Sequence, residues 1–221
     1  MTDLPLSSLE LAEEMIALNA DSLTDADTSQ LLRLILDYCA VTICGSTQPW
    51  GRKMRVWSQQ QQTHGRARLI GSGDKTNAVT AALANGTAAH GYELDDTHEA
   101  SSSHPGAVVI TATFAVAAET NAQGPEILSA IAAGYEAMAR IGRAAISQEV
   151  TERGFHATCL FGPFGAAVAA AKLMRLDATD LARSWGLALS MASGSSQFAH
   201  EPEGTMVKRM HAGIPAMHGV I

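Results

Sequence analysis

The chain has 221 residues, 47% hydrophobic, 17% charged and 5% aromatic, with a formal net charge of −7. So apolar a composition excludes a disordered chain, and an acidic balance without a Lys/Arg run excludes the electrostatic footprint of a nucleic-acid binder. With so few aromatic residues, the core falls to Ala, Leu, Ile, Val, Met and Gly, whose small side chains let helices approach closely. An all-α fold is expected.

The N-terminal stretch MTDLPLSSLELAEEMIALNA has acidic residues inside its apolar pattern and no basic n-region, so it is not read as a secretory signal. TSQLLRLILDYCAVTICG predicts a helix opening at Thr28, with apolar positions at Leu32, Ile35, Leu36, Cys39 and Ile43, closing at Gly45. Residues 46–75 are the least helical; the glutamine run at 59–62 is read as a helix end and RARLIG as an isolated short strand. NAVTAALANGTAAHG and GAVVITATFAVAAE read as helices, and PEILSAIAAGYEAMARIG as a helix with Pro125 at its first position. A further helix is placed from Pro163, another from Thr179 to near Gly194, and a last one just beginning after Pro215.

The sequence stops on Val220 and Ile221 without a cap, an ending that points to part of a longer protein. No repeat or linker interrupts it, so residues 1–221 are expected to form a single helical domain. The longest uncharged stretch, SSSHPGAVVITATFAVAA, has only about a dozen apolar positions against the roughly 20 a membrane span requires. Cys39, Cys44 and Cys159 are odd in number and lack metal spacing, which fits a reducing compartment. A soluble, cytoplasmic protein with neither membrane nor nucleic acid as partner is expected.

Chemistry concentrates in four segments: ELDDTHEASSSHPGA at 93–107, RGFHATC around His156, GTMVKRMHAG around Lys208 and His211, and NGTAAHG around His90. His104, His156 and Lys208 each lie in a loop leading into a predicted helix N-terminus, where unpaired N–H groups favour anions. If these loops converge, they form a carboxylate pocket on an otherwise acidic protein. Each residue also has a plainer reading. Glu93, Asp95 and Asp96 fit a solvated loop, His104 a cap, His156 a hydrogen-bonded core histidine, and Lys208 beside Arg209 a surface pair. His64, His98, His200 and His218 carry no pattern that lifts them above such readings. A metal site from Asp95, Asp96, His98 and His104 is chemically conceivable but has no recognised ligand spacing, and no metal is expected. No G-x-G-x-x-G, P-loop or G-x-S-x-G is present, and SGSS at 193–196 reads as a turn.

The ordered set LANG, DDTH, HPG, GFHAT and KRMHAG, with LLRLILDYCAVTICGS ahead of it, resembles the MmgE/PrpD family. That family includes 2-methylcitrate dehydratase, cis-aconitate decarboxylase and an iminodisuccinate epimerase. The resemblance implies the N-terminal half of a helical domain, without the α+β lid of full-length members, and a di- or tricarboxylate site without metal or organic cofactor. It also implies roles. His104, His156 and Lys208 match the catalytic and carboxylate-binding set, while Glu93, Asp96, Thr97 and His211 match substrate-pocket positions. Glu93 stands where the decarboxylases carry Asp, and the interval from Thr97 to His104 is one residue longer than in the vertebrate decarboxylase pattern. Both departures weigh against a decarboxylase.

The implied activity is a 2-methylcitrate dehydratase-like lyase that abstracts a proton beside a carboxylate. Two alternatives stay open at this point: an isomerase of an amino- or imino-dicarboxylate, and a catalytically incomplete carboxylate-binding subunit. Self-association as a homodimer, or association with a C-terminal half, is expected because apolar helix faces would otherwise be exposed.

Overall fold

The computed structural model describes residues 7–202 and 206–221. Among these the chain is mostly helical: α1 Ser8–Ala17, α2 Asp25–Ser46, α3 Pro49–Gln60, α4 Ala78–His90, α5 Pro105–Thr120, α6 Gly124–Ala144, α7 Ser147–Glu152, α8 Ala157–Leu173, α9 Ala178–Met191 and α10 Met210–Val220. The strand in RARLIG is not isolated, for β1 (Ala67–Arg68) pairs antiparallel with β2 (Lys75–Thr76), Ala67 opposite Thr76.

Four helices form the centre. α4, α5 and α8 are small and apolar all round, and each is buried along almost its whole length, as expected of a helix without a polar face. α10 packs on α4, α8 and α5. The approach is close because of what the sequence lacks: a Cβ on Gly86 of α4 would sit 2.7 Å from the Cα of Gly213 in α10. Buried hydroxyls on these helices are satisfied locally, Thr87 by Leu83 O (2.8 Å), Thr111 by Ala107 O (2.7 Å) and Thr113 by Val109 O (2.7 Å). Asn85, beside Gly86, accepts from Ile70 N (3.0 Å) and donates to Arg68 O (2.9 Å), holding the small hairpin against α4.

α2 and α6 wrap this centre. Tyr38 of α2 meets Thr111 of α5 at 3.0 Å through their hydroxyls, while Leu32, Leu36 and Ile43 on the outer face of α2 are 55%, 71% and 53% exposed.

Several boundaries differ from the sequence reading. Thr24, not Thr28, caps α2, because Asp27 at the third helical position completes a reciprocal capping box with it. Asp177, not Thr179, caps α9 by accepting from Asp180 N at 2.9 Å. Pro163 and Pro215 lie inside α8 and α10 rather than at their starts. An interior proline costs ~3 kcal/mol, but both prolines are buried, and packing on neighbouring helices outweighs the lost hydrogen bond.

Lys172, which reads in the sequence as an ordinary lysine of a helical run, has a structural task. Its ammonium donates to Met15 O (3.1 Å), Ile16 O (3.0 Å) and Leu18 O, closing the C-terminal end of α1 against α8. Lys172→Met should therefore destabilise the fold by about 2 kcal/mol through loss of charge-assisted bonds to otherwise open carbonyls. Urea denaturation followed by circular dichroism checks this, and an unchanged midpoint would refute the assignment.

Candidate active site

The last residue of α4, His90, is fully buried. Its Nδ1 faces the carboxylate of Asp95, which is itself buried, at 2.9 Å. Because a carboxylate accepts, the Nδ1 of His90 carries the hydrogen. The same Asp95 oxygen lies 3.5 Å from His104 Nδ1, and the His90 and His104 rings meet edge to face with centroids 4.9 Å apart. The loop between α4 and α5 thus folds back so that one carboxylate bonds the histidine at one end and lies close to the histidine at the other.

That loop is tightly specified. His98 pairs with Ser103 in an isolated bridge, a short 3-10 turn runs Glu99–Ser101, and the hydroxyls of Ser101 and Ser103 meet at 2.7 Å. Asp96 accepts from Gly106 N at 2.8 Å and from the Tyr135 hydroxyl at 3.0 Å, so both its oxygens anchor the loop to the start of α5 and to α6. Burial raises the Asp96 carboxyl above its ordinary value against the opposing pull of the Gly106 bond. Glu93 adopts φ +57°, a left-handed conformation rare outside glycine. Its carboxylate contacts Lys208 through Oε2 and stands 3.5 Å from His90 Nε2 through Oε1.

His156 and His211 complete the site. His156 precedes α8 and is fixed by its N–H to Gly194 O (2.7 Å), while Thr158 on the first turn of α8 accepts from His104 N at 3.0 Å. His156 stacks on His90 with centroids 5.7 Å apart, and its Nδ1 lies 3.2 Å from the Nδ1 of His211, in the first turn of α10. The Phe198 ring meets both in T-shaped contacts, with centroids 6.1 and 5.2 Å away, and Lys208 Nζ lies 6.0 Å from its centroid. Burial, reinforced by neighbouring histidines and Lys208, pushes His156 down to about 2 and His211 to about 4. Both rings are therefore neutral at physiological pH. Next to them opens a cleft of about 540 Å³ lined by His211, Phe198, Ser195, Gln197, Glu201 and Val207, among others.

Of the residues named from sequence, His104, His156, Lys208, Glu93 and His211 share this region. Asp96 turns to α5 and α6, and Thr97 is exposed in the loop. The conceivable metal set of Asp95, Asp96, His98 and His104 does not assemble, since Asp96 is engaged as above and His98 Nδ1 meets Ser101 Oγ at 2.8 Å. His90, Asp95 and His104 instead have donor atoms all within 4.8 Å of one another, a set that divalent ions accept. In this geometry Asp95 bonds to His90, which commits one carboxylate oxygen to the imidazole.

Residues 9–221 match the MmgE/PrpD N-terminal domain. The chain is a member of the MmgE/PrpD family. It is 31% identical over 195 residues to a cis-aconitate decarboxylase of Aspergillus terreus, covering 85% of this chain and 39% of that protein. It is 32% identical over 195 residues to a cis-aconitate decarboxylase-like protein of Aspergillus oryzae (strain ATCC 42149 / RIB 40), covering 40% of that protein. The MmgE/PrpD chain described here thus spans about two fifths of the length of these relatives.

The sequence marks the segment around His90 and sets Asp95 in a solvated loop or a conceivable metal set, but assigns neither a catalytic or binding role, and it marks neither Tyr135 nor Phe198. A histidine closing an alanine-rich helix just ahead of an acidic loop was the available signal for the pair. Tyr135 and Phe198 had none, for their relevance comes from contacts with Asp96 and the two far histidines.

The two depressed histidines set a pH dependence. Below pH ~6.5 the unfolded chain protonates these side chains while the folded site does not, so stability is present above that pH and is lost as pH falls toward about 4 for His211 and about 2 for His156. The raised Asp96 opposes this only nearer the carboxylate range. Melting temperatures measured from pH 7 to 5 should fall, and His211→Phe should flatten the slope; a native profile without slope would refute burial of the neutral rings.

Proposed function

We propose that this chain forms the acid/base and carboxylate-binding wall of a cofactor-independent lyase acting on a small di- or tricarboxylate, in the manner of a 2-methylcitrate dehydratase. The reading is carried by one observation: four histidines and Lys208, drawn from segments far apart in the chain, cluster together, and one of them, His211, lines a cleft. Proton abstraction next to a carboxylate builds negative charge on that carboxylate. Lys208 would stabilise the charge, with a neutral imidazole as base. Dehydration also needs a donor for the departing hydroxide, and a second neutral imidazole supplies an N–H. Glu93 holds Lys208 in place and offers an acceptor to a substrate hydroxyl. In this reading Asp96 is a scaffold residue rather than a substrate contact.

A second reading is favoured by the names of the relatives, namely decarboxylation of cis-aconitate, in which a histidine would protonate the carbanion left by CO₂. Glu93 and the long interval before His104 remain the features that weigh against it. An iminodisuccinate-type epimerisation uses the same base chemistry with the proton returned to carbon.

Proton NMR of the chain in D₂O with 2-methylcitrate, citrate, cis-aconitate and iminodisuccinate generated in situ separates these reactions. Lys208→Ala should reduce whichever conversion occurs by roughly 100-fold, whereas Lys75→Ala on the exposed hairpin should leave it unchanged. Equal losses, or none, would sink the pocket. We also expect the apolar outer face of α2 to support self-association; a monodisperse monomer in light scattering would count against it.

A further inference from the structure

We propose that His156 and His211 act as one bifunctional unit, a pair of opposed tautomers sharing a single proton between their Nδ1 atoms, which makes His211 a proton-transfer residue in its own right. This rests on the reading of the site as an acid/base centre and deepens it.

The geometry fixes the chemistry. The two Nδ1 atoms face each other at 3.2 Å, with ring centroids 5.2 Å apart. An imidazole nitrogen either carries a hydrogen or offers a lone pair. Two lone pairs would repel and two hydrogens would clash, so one Nδ1 donates and the other accepts. In neutral rings the remaining positions follow. The ring that donates through Nδ1 has a bare Nε2, and the ring that accepts carries its hydrogen on Nε2. One residue type at two positions therefore presents a base and an acid at once. The surroundings oppose a second proton on the pair, with Lys208 nearby and His90 stacked on His156, while Phe198 closes the apolar side.

The proton count then balances. The bare Nε2 takes a proton from the substrate carbon, and the electron pair stays on the substrate. That ring passes its Nδ1 hydrogen across to the partner Nδ1. The partner releases its Nε2 hydrogen to a departing hydroxide or to substrate carbon. The pair ends neutral with the two tautomers exchanged. For a reaction that returns the proton to carbon, the exchanged pair is already set for the reverse direction. For a dehydration, it resets through solvent.

The first test needs no substrate. Long-range ¹H–¹⁵N correlation spectra of the ¹⁵N-labelled 221-residue chain at neutral pH should show His156 and His211 in opposite tautomers, one protonated at Nδ1 and the other at Nε2. The same tautomer in both rings, or two hydrogens on either ring, would overturn the pair. The second test compares His211→Asn, whose amide replaces the Nδ1 contact but has no second ring nitrogen, with His211→Phe. Both should lose turnover by roughly 100-fold with KM changed less than about threefold. Near-native turnover in His211→Asn would reduce His211 to a positioning hydrogen bond and overturn the relay. Should the native chain convert none of the acids, the lyase reading fails, and the spectra still decide the pair by themselves.

Discussion

A carboxylate withdrawn from water has to be met by donors, and the site is organised around Asp95, whose side chain is only 2% exposed. Left alone, such a group would cost several kcal/mol or take up a proton. It is met by a hydrogen bond from His90, which closes α4, and His104, which precedes α5, stands 3.5 Å away at the other end of the loop. That requirement sets the path of residues 91–104, because both helix ends must come within reach of one side chain. The neighbouring Asp96 faces the other way and bonds the first turn of α5 and the hydroxyl of Tyr135. Two adjacent carboxylates thus divide the work, one gathering histidines and the other fixing the loop to the helices behind it.

Such a convergence needs helices that approach closely, and alanine and glycine make this possible. α4, α8 and α10 meet without large side chains between them, so the ends carrying His90, His156 and His211 come together. The prolines inside α8 and α10 belong to the same arrangement, tolerated where burial on neighbouring helices compensates for a lost backbone bond. Motifs that look chemical in the sequence prove partly architectural. In LANG, Asn85 holds the hairpin and Gly86 admits α10, and in HPG the glycine N–H anchors Asp96.

Burial also explains why these histidines differ from free imidazole. His156 and His211 are held neutral by desolvation and by the nearby His90 and Lys208, which suits proton transfer better than binding an anion by charge. The lysine of the site, Lys208, is already engaged by Glu93, a residue held in a left-handed backbone conformation beside it. Strained backbone at such a place is common where geometry serves chemistry.

The amino-acid sequence by itself determined the helical class, most helix locations and the family, because apolar periodicity, glycine, capping residues and an ordered set of motifs are local signals. It also singled out His104, His156 and Lys208 from their place ahead of predicted helices, and added Glu93 and His211 through the motif set. Only the tertiary structure decided which of them meet. It made Asp95 and His90 the centre, turned Asp96 toward the scaffold, left Thr97 exposed, and gave Lys172 a capping role. The capping misplacements at Thr28 and Thr179 arose among near-equivalent polar residues within a few positions, where side-chain reach settles the choice. The histidine pairing had no local signal at all. His156 and His211 are 55 positions apart, and their contact follows only from the packing of α8 against α10.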